Sequence, residues 1–145
     1  MKIVNFLEGK PGQCWDSSVD SNSWGHDLCL RTEGEIEFGT PPDNLVISVF
    51  LLEFFLETKT AVFKTLGNSN FEIKVALPLS GDGYFFSRSN DEVTFKFRYG
   101  SARKMRWTQF LQDLEWMESE LAAKIQTTFP RKSATMEFKT LFGSN

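Results

Sequence analysis

Apolar and polar positions alternate most clearly over residues 92–99, where Val93, Phe95, Phe97 and Tyr99 interleave with Thr94, Lys96 and Arg98. A period of two sends one set to one face of an extended chain and the other set to the opposite face, which is the pattern of a half-buried strand. Residues 1–7 also read as a short strand, and residues 8–25 as an irregular stretch broken by Gly9, Pro11 and Gly12. Strands are expected over 27–31 and 35–38, joined at Gly34, because Leu28, Leu30, Ile36 and Phe38 share one parity. Further strands over 61–66, 71–79, 84–88 and 92–99 form an antiparallel meander. Its turns carry Gly67-Asn68-Ser69, Gly81-Asp82-Gly83 and Ser89-Asn90-Asp91.

Residues 45–58 fit two elements. Their Val, Ile and Phe content favours a strand buried on both faces, whereas their length and the preceding Pro-Pro-Asp-Asn permit a helix. The strand is the preferred assignment. The period changes to three and four over residues 107–126: Trp107, Phe110, Leu111, Leu114, Met117, Leu121 and Ile125 fall on one face of a helix. Thr108 is placed to cap it, and Pro130 lies just beyond its end. A last strand is expected over 133–142. The pattern as a whole predicts an α+β fold, mainly antiparallel β-sheet with one long amphipathic helix near the C-terminus, in a single domain spanning 1–145.

Composition supports a core of ordinary size. The 145 residues are 41% hydrophobic and 24% charged, and 15 of them are Phe, a residue that favours strands and large-volume cores. The most apolar stretch, residues 45–56, contains Glu53 and falls short of the roughly 18 uninterrupted apolar residues of a membrane helix. The first ten residues do not read as a secretion signal, so a cytoplasmic location with reduced thiols is expected for Cys14 and Cys29. The net charge of −3 is unevenly placed: residues 1–60 carry four basic side chains against ten acidic ones, and residues 61–145 carry twelve against nine. The acidic half suits a basic partner, although ordinary solvated faces account for the same pattern.

Candidate chemistry is sparse. His26 is the single histidine, it has no Ser or Cys elbow beside it, and with Cys14 and Cys29 it does not complete a zinc site. Glu33, Glu35 and Glu37 alternate along one strand face, most simply a solvated one. Gly81-Asp82-Gly83 lacks the Lys-Ser/Thr of a phosphate loop. No enzyme activity, cofactor or metal is therefore expected. Arg98, Arg103, Lys104 and Arg106, interleaved with Tyr99 and Trp107, suggest a nucleic-acid-binding segment over 98–106 or a solvated loop. Trp116 stands out most. It falls about 180° from Trp107 on the helix, opposite the apolar stripe. Asp113 and Glu120 flank it, as a charged rim flanks a large desolvatable ring at a protein-binding anchor. The competing reading is that a loop or the C-terminal strand folds over Trp116 and buries it.

The strand Val93-Thr94-Phe95-Lys96-Phe97-Arg98-Tyr99, followed by a short basic loop and the helix carrying Trp107, Phe110, Leu111, Leu114, Glu115, Met117 and Leu121, resembles the ending of small immunity proteins of bacterial toxin–immunity systems, including contact-dependent growth inhibition. The likeness covers about a quarter of the chain. It implies a non-catalytic inhibitor that binds and neutralises a cognate toxin domain, often a nuclease with a basic active site, and it assigns no binding residue by itself. The alternative expectation is a small nucleic-acid-binding module using the 98–106 segment.

Overall fold

The computed structural model describes residues 1–6, 29, 32–98, 100, 102–133 and 136–143. It shows an α+β fold with two antiparallel sheets. The first sheet has the order β1-β2-β3, formed by β1 (Lys2–Phe6), β2 (Glu33–Phe38) and β3 (Leu45–Phe50). Helix α1 (Leu51–Lys64) leads out of β3 without a break. The second sheet is a four-stranded meander of β4 (Asn70–Val75), β5 (Tyr84–Ser89), β6 (Glu92–Phe97) and β7 (Arg103–Arg106), paired in sequence order. The long helix α2 (Trp107–Thr128) follows, and then the short helices α3 (Pro130–Ser133) and α4 (Met136–Phe142).

One apolar cluster joins both sheets and both long helices. Phe38 of β2 meets Phe95 of β6 at a ring distance of 5.1 Å, and Phe110 of α2 lies 5.2 Å from Phe86 and 5.4 Å from Phe95. Phe38, Phe54, Phe86, Phe95 and Phe110 are wholly buried, so the high phenylalanine content is spent on this shared core. Offset and tilted ring pairs of this kind add to the area they bury. A second, smaller cluster of Leu52, Ile125, Phe129 and Phe138, together with Cys29, seats the C-terminal helices beside the start of α1.

Gly34 is a point of close approach. A Cβ there would come within 2.4 Å of the Asn5 carbonyl and 2.5 Å of Leu51 Cδ1, so β1, β2 and the start of α1 meet only over a glycine. Gly34 accordingly sits inside β2, opposite Phe6 and Val49, instead of joining two strands. The expected 27–31 strand and the irregular 8–25 stretch lie outside the described residues, apart from Cys29.

Several expectations are corrected. Residues 45–58 are a strand and a helix in succession: the Val and Ile residues of this stretch end at Val49, and Leu51, Phe54, Phe55, Thr58 and Ala61 then bury one helical face. The expected 61–66 strand is the last turn of α1 and the turn after it. Residues 103–106, read as a loop, pair with β6 as an edge strand. The expected C-terminal strand is α3 and α4, where Phe138 and Phe142 sit one turn apart with their rings at 4.8 Å. Thr108 does not cap α2; the cap position is the extended Arg106, and the Trp107 N–H donates to the Asp91 carbonyl at 2.7 Å. Leu111 is 38% exposed, at the margin of the helix face instead of inside it.

Candidate functional site: the outer face of α2

Helix α2 buries Phe110, Leu114, Met117, Leu121 and Ile125 and turns the opposite side outward. Trp116 lies on that side and is 67% exposed. Among the described residues nothing folds over it: α4 instead packs its Phe142 ring parallel to Phe55 of α1, at 6.0 Å. The ring separates two shallow depressions. One, of about 100 Å³, is bounded by Met1 and Ile3 of the N-terminal strand, by Asp113 and Met117, and by Glu120. The other, of about 400 Å³, runs down the helix past Ser119, Ala123 and Thr127. Trp116 and Glu120 border both.

The two flanking acids differ in setting. Glu120 is exposed. Asp113 is partly buried; one carboxylate oxygen takes the N-terminal ammonium at 2.9 Å and the other accepts from Gln109 Nε2 at 2.8 Å. Asp113 thus fastens the start of β1 to α2, and Glu120 is the freer charge beside the ring. On the other flank of α2, Glu118 pairs with Lys59 of α1 at 3.4 Å. The helical phase found these residues in the sequence. The neighbourhood of β1 was not readable there, because it depends on a contact between segments 112 residues apart in sequence.

The basic 98–106 segment does not form one patch. Arg98 is exposed and pairs with Asp82 at 3.4 Å. Arg103 lies at the inner-face position of β7 opposite Phe95, with a buried Nε that has no hydrogen-bond partner among the described residues. Lys104 and Arg106 point to the outer face of the meander, where Lys104 approaches Glu92 at 3.7 Å. Trp107 packs against Phe71 and Phe110, with the Arg88 guanidinium 4.0 Å over its ring. Tyr99 and His26 lie outside the described residues.

The alternating glutamates of β2 are only partly solvated. Glu35 accepts from Asn5 Nδ2 at 2.9 Å and Glu37 from Asn44 Nδ2 at 2.8 Å, while Lys2 lies 3.5 Å from Glu37. Cys29 is a free, buried thiol. Among the described residues no group of three or more His, Cys, Asp or Glu is placed to hold a metal ion, and no helix is long and apolar enough to cross a membrane. No family model, curated protein or solved structure matches the chain. The geometry defines an α+β protein that carries an exposed tryptophan on the outer face of its long helix.

Proposed function

We propose that this protein is a stoichiometric inhibitor in the cytoplasm, an immunity protein that docks a basic toxin domain, of nuclease type by the resemblance above, on the outer face of α2. The observation that carries the reading is Trp116, a large ring left 67% exposed between two depressions and bordered by Glu120. Burying such a ring supplies affinity at an interface, and a carboxylate at its rim speeds encounter with a positively charged partner. The uneven charge of the chain, acidic over its first 60 residues, suits the same partner.

Coexpression with the product of the neighbouring reading frame tests the reading. The expected result is a one-to-one complex in which the toxin's activity is blocked, with Trp116→Ala weakening the complex and leaving the fold intact. A Trp116→Ala protein that protects as well as the parent rejects this face as the docking site. Hydrolysis of a small substrate by the purified protein rejects the class.

A further inference from the structure

The outer face of the four-stranded meander is a second open surface, on the far side of the sheet from α2. Its composition follows from register. Lys74, Phe85 and Lys96 are directly opposite one another on β4, β5 and β6. The next row is Glu72, Ser87, Thr94 and Lys104, and the row after it Asn70, Ser89, Glu92 and Arg106. The intervening positions, among them Val75, Tyr84, Phe86, Val93 and Phe95, are buried in the core. The triplet Tyr84-Phe85-Phe86 therefore sends two rings inward and one outward, and Phe85 is left 48% exposed.

We infer that this face binds single-stranded nucleic acid, with a base stacked on Phe85 between the ammonium groups of Lys74 and Lys96. The two lysines flank the ring at one strand spacing on each side, about 5 Å. Among the described residues neither is in an ion pair. A shallow depression of about 300 Å³ bounded by Lys74, Phe85, Lys96 and Arg98 lies at this end of the sheet. Of the acids on this face, Glu72 stands in the adjacent row, Asp82 borders the depression and is held by Arg98, and Glu92 is two rows away against Lys104. Around the ring the cations Lys74, Lys96 and Arg98 outnumber the acids Glu72 and Asp82. Ser87 and Thr94, in the adjacent row, offer hydroxyls that both donate to and accept from a base edge.

The ring selects the kind of anion. A carboxylate placed over an aromatic face meets the negative side of its quadrupole, whereas a nucleobase stacks on it and leaves its phosphates to the flanking cations. An acidic peptide would use the lysines and gain nothing from Phe85. A duplex hides its base faces and would likewise leave the ring unused. The inference is independent of the α2 reading, because the two surfaces share no residue.

Fluorescence anisotropy with a labelled oligothymidine or oligouridine of about a dozen nucleotides tests it. Binding is expected at about 50 mM salt and should fall steeply by about 200 mM. Phe85→Ala should weaken it about tenfold, since stacking of one base contributes about 1–3 kcal/mol. Phe85→Leu, which keeps an apolar side chain and removes the stacking plane, should weaken it similarly, and guards against an effect of Phe85→Ala on folding. Replacing Lys74 and Lys96 by Gln should lower the salt slope by about two. Trp116→Ala should bind as the parent does. The inference is overturned by absence of binding at low salt, by Phe85→Leu binding at parental strength, or by polyglutamate or duplex DNA competing as well as the unlabelled oligonucleotide.

Discussion

Glu53, in the first turn of α1, accepts three hydrogen bonds from the loop after β4, two of them from Ser80. The Leu79 N–H donates at 2.7 Å, the Ser80 N–H at 2.9 Å and the Ser80 hydroxyl at 2.7 Å. Glu53 is only 5% exposed, and it sits where a helix start favours negative charge. Ser80 Oγ also accepts the Phe50 N–H at 3.1 Å, so the β3–α1 junction and the loop hold each other.

Glu53→Gln presents an amide in which only one oxygen accepts, so at least one of the three donors loses its partner. The expected cost is about 1.5–3 kcal/mol, the range for hydrogen bonds to a charged group. Glu53→Ala should cost more, because all three donors lose their acceptor. Urea unfolding of both variants checks the order. Equal stability of parent and Glu53→Ala would mean that water satisfies the loop.

A second pair of variants separates the buried face of α2 from its margin. Leu114 is 8% exposed and Leu111 is 38% exposed. Leu114→Ala should cost about 2–5 kcal/mol through lost transfer energy and a residual cavity. Leu111→Ala should cost under about 1 kcal/mol, as surface changes do. Similar losses at the two positions, measured in the same denaturant series, would show that the helix is rotated from the orientation described.

Alkaline pH should weaken the fold through two buried acids. Burial, with Glu53 and Glu57 adding to it, pushes the Cys29 thiol from 9.0 up to about 12. Burial also raises the Tyr84 hydroxyl well above its usual range; the hydrogen bond with Thr58 pulls the other way and Glu57 adds to the rise. Both groups stay protonated longer in the folded chain than in the unfolded one. Their stabilising effect is therefore complete below the unfolded values of 9.0 and 10.0 and is lost as pH rises toward the folded ones. Stability should begin to fall near pH 9 and fall faster above pH 10, by at most about 1.4 kcal/mol per pH unit for each group. Cys29→Ser should remove the earlier part of the decline. An unchanged profile in that variant would point to general charge repulsion.

The legible parts of the fold were those in which one pattern ran without competition. The alternation around Phe95 gave β6, and the spacing from Phe110 to Ile125 gave α2. The failures came where one apolar run served two purposes. Leu51, Leu52, Phe54 and Phe55 are all buried because α1 begins between both sheets and the second cluster, so a helix there looks like a strand covered on both faces. Phe138 and Phe142 sit at a helical spacing, but seven residues are too few for a period to stand out. For the candidate surfaces, Trp116 was visible because a helix has one phase. Phe85 was not singled out, because two of three consecutive aromatics had to be assigned inward before the third could be placed.

Trp116 and Glu120 should act on different quantities when a partner binds. The ring is 67% exposed and packs under no other described element, so Trp116→Ala should change folding stability by less than about 1 kcal/mol. Against a basic toxin domain it should weaken binding by about 2 kcal/mol or more, roughly thirtyfold in affinity. Glu120→Ala should act on a different quantity. An exposed carboxylate steers encounter more than it holds the complex, so association should slow, and the slowing should fade as salt rises. Asp113→Ala is the contrasting case: its carboxylate is already engaged by the N-terminal ammonium and by Gln109, so its loss should loosen β1 from α2 and appear partly in the denaturation curve. Stopped-flow association at two salt concentrations, alongside denaturant curves on the same three variants, separates these effects. A loss of about 3 kcal/mol in the free Trp116→Ala protein would show that the ring supports the fold. A salt-independent dissociation defect in Glu120→Ala would place that carboxylate in direct contact with the partner.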